Sequence, residues 1–204
     1  MTARCTVIVM AKAPVAGFAK TRLIPALGAA GAAALAERLL DHAVAQALAA
    51  GLGPVEVCCA PDTEHPVFAR LAARVGVRLT CQAQADLGAR MAQALDRALA
   101  AAERVLLMGT DAPALDAKRL RRAAGALDEV DAVFVPAHDG GYALVGLRRP
   151  APSLFDNMVW STARVMAETR LRLAAAGLCH VELPPVADID EPADLVHLPA
   201  GWSA

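Results

Sequence analysis

Four short segments hold the residues whose types and spacing could do chemistry. The first is "MAKAPVAGFAKTRL", in which an apolar run breaks into Lys12, Pro14, Gly17, Lys20 and Arg22. A turn containing glycine, set between a buried strand and a helix, offers backbone N–H groups and a helix N-terminus to an anion. The two lysines add charge, and Arg22 can grip a phosphate with two parallel hydrogen bonds. The spacing is neither the three-glycine dinucleotide fingerprint nor the Gly-Lys-Ser/Thr ending of a P-loop. A solvated loop with incidental cations is the plain alternative.

The second segment is "LLMGTDAPAL", where Asp111 follows a buried strand and precedes a turn with proline. A carboxylate there could hold a divalent cation, which prefers oxygen ligands and bridges to substrate phosphates. Asp111 could instead cap the next helix, although Asp116 is better placed to do so. The third is "VPAHDGGYALVGL": Gly140 and Gly141 permit positive φ and close approach of a ligand, and His138 and Asp139 stand at the tip. A plain hairpin turn reads equally well there. In the fourth, "PPVADIDEPADL", Asp188 and Asp190 stand two apart and could share one cation, while capping is the simpler account of Asp190 because Glu191-Pro192 follows.

The elements that must position these residues alternate along the chain. "CTVIVMA" is a continuous apolar run, as expected of a strand buried on both faces. An Ala-rich helix is expected over Gly28–Ala50, closed by Gly51. Further strands are expected at Val55–Ala60, Val77–Gln82, Arg104–Gly109, Asp131–Ala137, Tyr142–Leu147 and His180–Leu183. Helices are expected near Pro66–Val75, over Leu87–Ala102, from Asp116, over Thr162–Ala176 and, briefly, after Asp190. This order predicts an α/β fold with a mostly parallel sheet covered on both sides, whose ligands lie beyond the carboxyl ends of the strands. No repeat or linker divides the chain, so residues 1–204 are expected to form one domain.

With a net charge of −1, nothing global points to nucleic acid or an anionic membrane, and anion binding must be local. The five cysteines lack metal-type spacing and read as buried, reduced thiols, with Cys58 and Cys59 on opposite faces of one strand. No signal peptide is evident and no apolar segment of membrane-spanning length lacks charge, so a cytoplasmic location without membrane insertion is expected. Cations for phosphate and carboxylates for a metal, all at strand ends, suit a nucleotide carrying a diphosphate or triphosphate.

Six motifs in order, "MAKAPVAGFAKTRL", "QADLGARM", "GTDAPAL", "DGGYALVGL", "WSTARVMAETRLRLAAAG" and "ADIDEPADL", resemble a bacterial glycosyltransferase-like family. It belongs with the nucleotide-diphospho-sugar transferases, and some members are linked by name to arsenosugar biosynthesis. The resemblance spans Val7 to about Leu195 and extends more distantly to 2-phospholactate guanylyltransferase and the molybdenum-cofactor nucleotidyltransferases. It implies a three-layer α/β/α nucleotide-diphospho-sugar transferase fold with Mg²⁺ or Mn²⁺ at the site. By position, Lys12, Gly17, Lys20 and Arg22 would meet the nucleotide phosphates, and the segment Gln84–Arg90 would lie beside the base or ribose, with Gly88 allowing close approach. Asp111, with Asp188 or Asp190, would hold the metal. Gly140, Gly141 and Tyr142 would border the sugar or acceptor, with Asp139 as general base.

The activity implied is transfer of a sugar from a nucleotide-diphospho-sugar to a small-molecule acceptor. Nucleotidyl transfer from a nucleoside triphosphate is the rival, and a non-catalytic nucleotide binder is the third reading. The family pattern commonly has Cys at Ala112, Gly at Ser161 and Thr at Glu191. The first two are small-for-small changes expected to cost little. Glu191 either adds charge beside the metal or improves the helix's first turn.

Overall fold

The structure is a computed structural model that describes residues 4–202. Seven strands form one sheet in the order β3-β2-β1-β4-β6-β5-β7. They are β1 (Thr6–Lys12), β2 (Val55–Ala60), β3 (Val77–Cys81), β4 (Val105–Met108), β5 (Ala132–Pro136), β6 (Tyr142–Leu147) and β7 (His180–Glu182). Among the described residues only β6 runs antiparallel, pairing with β4 on one side and β5 on the other. This reversal brings the first residues of β6 to the edge where its neighbours end, so that Gly109 N–H donates to the Ala143 carbonyl at 3.2 Å.

Five α-helices cover the two faces: α1 (Ile24–Ala50), α2 (Pro66–Ala72), α3 (Leu87–Leu99), α4 (Ala117–Ala126) and α5 (Val165–Ala175). Alternation along β1 sends Val7 and Val9 to a core shared with α1, α2 and α4, and Ile8 to a core shared with α3 and α5. Cys59 and Cys58 divide between the same two cores, as their adjacency in a strand requires. Cys5 is buried as well, but Cys81 and Cys179 are exposed, since one ends an edge strand and the other precedes one. That corrects the expectation of five buried thiols.

The helix expected from Gly28 begins earlier, at Ile24, and Gly28 is a kink within it at φ 70° and ψ 166°. Gly51 closes α1 in the left-handed conformation, as expected. By length and composition alone Thr21–Ala50 could cross a membrane, which the sequence pattern did not suggest. Here Leu40, Ala43, Val44 and Ala47 pack on the sheet, while Glu37 and Asp41 pair with Arg70 of α2. The segment after Asp190 forms a single 3₁₀ stretch, Pro192–His197. Also unforeseen was Glu56 of β2, whose fully buried carboxylate meets Arg78 at 3.0 Å, Thr80 at 2.7 Å and the Arg97 guanidinium.

Candidate active site

A cavity of about 720 Å³ opens beyond the ends of β1 and β4. That volume lies in the range of small-molecule sites, roughly 300–1,000 Å³. Lys12, Lys20, Arg22, Asp111, Asp139, Gly141, Tyr142, Asp188 and Asp190 all line it. Residues from every one of the four sequence segments therefore meet in one space, although 178 positions separate the outermost two (190 − 12).

The opening loop closes upon itself. Val15 carbonyl accepts from the N–H groups of Phe18 and Ala19, and Lys12 Nζ donates to the Phe18 carbonyl at 3.0 Å. Gly17 supplies the φ of 82° that this turn needs. Arg22 lies mostly in solvent, with the nearest acid Glu191 at 3.9 Å, and is open to an incoming anion. Lys20 is different. Its Nζ donates to Asp111 Oδ1 at 2.6 Å, Asp190 Oδ1 at 2.7 Å and the Ile189 carbonyl at 2.6 Å. Burial alone would lower its pKa, but Asp111 and Asp190 outweigh that and hold the ammonium above its ordinary value. In this arrangement Lys20 binds two carboxylates and one backbone carbonyl.

Asp188 and Asp190 owe their placement to the residue between them. Ile189 is fully buried under α1 with Leu23, Leu35 and Leu39, and its N–H donates to the Asp111 carbonyl at 2.8 Å. Burying the middle residue of an extended segment turns both flanking side chains the other way. Burial raises the pKa of Asp188, and the nearby charges of Asp139, Asp190 and Asp194 raise it further. Asp190 does not cap the 3₁₀ turn. Glu191 holds the cap position, and Asp194 Oδ2 accepts from the N–H groups of Asp190 at 3.0 Å and Glu191 at 2.7 Å. Glu191 therefore serves the turn, one of the two roles expected of it.

The third segment is both hairpin and site. Ala137 N–H donates to the Gly141 carbonyl, and Asp139 Oδ1 accepts from Gly141 N–H at 2.8 Å. The glycines serve the protein itself. At φ 91°, Gly140 lies so close to Ala163 that a Cβ would stand 2.3 Å from the Ala163 carbonyl oxygen. Gly140 carbonyl in turn accepts from Met166 N–H at 2.8 Å, docking the start of α5 onto the hairpin. Gly88 behaves likewise: a Cβ there would stand 2.6 Å from the Phe155 carbonyl oxygen and 2.8 Å from Trp160 Nε1. These close approaches are to backbone and indole, where the sequence pattern suggested a ligand.

Neither Gln84 nor Gly88, Gly17 or Gly140 lines the cavity. Gln82 does, its side-chain amide donating to the carbonyls of Ala11 and Cys58 and so tying β1 to β2. Sequence reasoning also missed the apolar wall of Phe18, Met91 and Trp160, which the segment Gln84–Arg90 joins through Leu87. Trp160 stands edge-on to Tyr142 with ring centroids 6.4 Å apart, and Tyr142 edge-on to Phe134 at 5.2 Å. Burial raises the pKa of the Tyr142 phenol. The signal available was the motif "WSTARVM", which holds one of only two tryptophans. Its next residue, Ser161, adopts φ 60°, so the departure from Gly there is not free of cost.

Among the described residues, no three His, Cys, Asp or Glu side chains form a group that could hold a metal ion. Asp111 and Asp190 nevertheless converge on one positive charge, the Lys20 ammonium. Mg²⁺ is usually held by one or two carboxylates completed by water and substrate phosphates, so this pair fits such an ion.

The strand order, the single reversed strand and a site across the carboxyl edge define an α/β fold of the nucleotide-diphospho-sugar transferase and nucleotidyltransferase type. A protein of Desulfovibrio desulfuricans G20, provisionally named a nucleotide-diphospho-sugar transferase, shares it at a TM-score of 0.86 and 31% identity, over 96% of this chain and 85% of that one. The chain belongs to the DUF2064 family, described as an uncharacterized protein conserved in bacteria, whose signature matches residues 43–162. Two more distant structures share the fold. The 4-diphosphocytidyl-2C-methyl-D-erythritol synthase of Anaerococcus prevotii has a TM-score of 0.64 at 9% identity over 95% of each chain. A CMP:2-keto-3-deoxy-manno-octonic acid synthetase complexed with CTP has a TM-score of 0.60 at 13% identity, over 95% of this chain and 96% of that one. No curated protein matches the chain in sequence.

Proposed function

We propose that the chain is a metal-dependent transferase that takes a sugar from a nucleotide-diphospho-sugar and passes it to a small acceptor. The observation that carries this reading is that Lys12, Arg22, Asp111, Asp190, Asp139, Tyr142 and Trp160 all line one cavity. The cations suit the diphosphate, the carboxylates suit a divalent cation, and the wall of Phe18, Leu87, Met91 and Trp160 offers apolar surface to a sugar ring and acceptor. Mg²⁺ or Mn²⁺, when bound by Asp111 and Asp190, would neutralise charge on the departing diphosphate.

The chain's own residues do the rest. Arg22 grips a phosphate at the mouth, and Lys12 adds a second charge from the loop. Asp139 accepts Gly141 N–H at Oδ1, which orients the carboxylate and leaves Oδ2 to take a proton. In an inverting transfer the acceptor oxygen bonds to the anomeric carbon and the carbon–oxygen bond to the diphosphate breaks. The electron pair leaves on the nucleoside diphosphate and the acceptor proton goes to Asp139. Tyr142 and Trp160 provide a wall that keeps water from that carbon.

Nucleotidyl transfer is the second reading, favoured by the names of the two more distant fold relatives. Calorimetric titration with nucleotide-diphospho-sugars and nucleoside triphosphates, each with and without Mn²⁺, separates the two. Tenfold tighter binding of a diphospho-sugar, about 1.4 kcal/mol, supports glycosyl transfer. The same preference for a triphosphate supports nucleotidyl transfer. Absence of binding by either form would refute the reading of the cavity as a nucleotide site.

A further inference from the structure

All three hydrogens of the Lys20 ammonium are taken, by Asp111, Asp190 and the Ile189 carbonyl. Its side chain is only 9% exposed, whereas that of Arg22 two residues on is 67% exposed. The Lys20 backbone is left-handed, at φ 48° and ψ 45°. That conformation is costly for a residue with a Cβ, and such strain persists where surrounding contacts over-determine it. These contacts join three distant segments: the opening loop, the turn after β4 and the chain before Pro192.

We infer that Lys20 is a tethered counter-ion, which holds the divalent-cation position between Asp111 and Asp190 until cation and diphosphate arrive together. The inference rests on reading the cavity as a cation and nucleotide site. An ammonium and a divalent cation compete for the two carboxylate oxygens that now accept from Lys20, Asp111 Oδ1 and Asp190 Oδ1, and like charges a few ångströms apart repel. Cation entry therefore requires Lys20 to withdraw, and withdrawal without an anion gives up its bonds to Asp111, Asp190 and the Ile189 carbonyl with no charged partner in exchange. A diphosphate lying on the Lys12–Arg22 loop gives the withdrawn ammonium a new partner. Cation and diphosphate each make room for the other, so their binding is positively coupled, and by linkage the coupling is reciprocal. A second consequence is protective: with Asp188 and Asp139 close by, an empty Asp111–Asp190 pair would add to a patch of like charge, and Lys20 neutralises it.

The test is Mn²⁺ binding followed by electron paramagnetic resonance of the free ion, in the wild type, Lys20→Met and Lys20→Gln. Lys20→Gln keeps a donor for the Ile189 carbonyl, in case the methionine variant does not fold. Mn²⁺ alone is expected to bind either folded variant at least tenfold more tightly than the wild type. Inorganic pyrophosphate, with its own binding of Mn²⁺ in solution subtracted, is expected to tighten Mn²⁺ on the wild type at least tenfold and on the variants much less. The wild-type coupling needs no variant to fold. Equal or weaker Mn²⁺ binding in the variants overturns the inference, as does a wild type in which Mn²⁺ and pyrophosphate bind independently. If nucleotide still binds in those cases, only the role of Lys20 falls. If neither nucleotide nor cation binds, the reading of the cavity falls with it.

Discussion

Replacing Gly140 by alanine perturbs one atom at the point where the hairpin, α5 and the aromatic wall meet. The left-handed φ of 91° costs an alanine about 1–2 kcal/mol. The new Cβ would stand 2.3 Å from the Ala163 carbonyl oxygen and 2.6 Å from Ala163 Cα, both of them backbone atoms that no rotamer change can move. Overpacking of this kind costs about 1–3 kcal/mol after relaxation. The sum is roughly 2–5 kcal/mol if the segment stays in place. If it moves away instead, the hydrogen bond from Met166 N–H to the Gly140 carbonyl, 2.8 Å long, breaks first, and Trp160 shifts with the chain that carries it. Urea unfolding followed by circular dichroism reads the first effect. Fluorescence in a Trp202→Phe background, where Trp160 is the one tryptophan left, reads the second. A stability loss of at least about 2 kcal/mol, or a smaller loss with an altered Trp160 emission, is expected. A loss below about 0.5 kcal/mol, within the usual range of surface substitutions, with unchanged emission would refute this account of Gly140.

Three further outcomes follow from the same geometry. Ser161→Gly relieves the φ of 60° and, after the added entropy of the unfolded chain, should stabilise by about 0.5–1 kcal/mol, seen as a raised melting temperature. Glu56→Gln should cost about 2–3 kcal/mol in urea unfolding, less than a fully enclosed pair because Arg78 and Arg97 both reach water. Burial pushes the Cys5 thiol up from 9.0 to about 11 and that of Cys59 to about 12. Iodoacetamide at pH 8 should therefore modify Cys81 and Cys179 while sparing Cys5 and Cys59, as read by mass spectrometry. Both thiols ionise more readily in the unfolded chain, so their contribution to stability is complete below pH 9 and declines as pH rises towards 11–12. Urea midpoints measured at pH 8, 9 and 10 should fall in that order.

Much of this protein was legible one segment at a time. A strand buried on both faces must be a continuous apolar run, so Val7–Met10 and Val105–Met108 announced themselves. Asp116 caps α4 through Arg119 N–H at 2.7 Å, as its place before a helical pattern required. The post-strand segments with cations, carboxylates and glycines were equally visible, and they do meet in one cavity. These features depend on local periodicity and on the rule that parallel sheets present their ligands at one edge, and both can be read without knowing any long-range contact.

What the tertiary structure decided is which partner each of those residues has. Glycine's freedom at Gly140 and Gly88 was foreseeable, but the sequence does not say that Ala163 and Trp160 fill the space a side chain would need. Lys20 looked like a phosphate ligand because it shares a loop with Arg22, yet its carboxylate partners lie 91 and 170 positions away (111 − 20 and 190 − 20). The buried Ile189 that turns Asp190 towards it is one hydrophobic residue among many until α1 is in place above it. Local composition sets what a side chain is able to bind. Which of several able partners it meets depends on long-range contacts whose energies appear only when the elements are packed together.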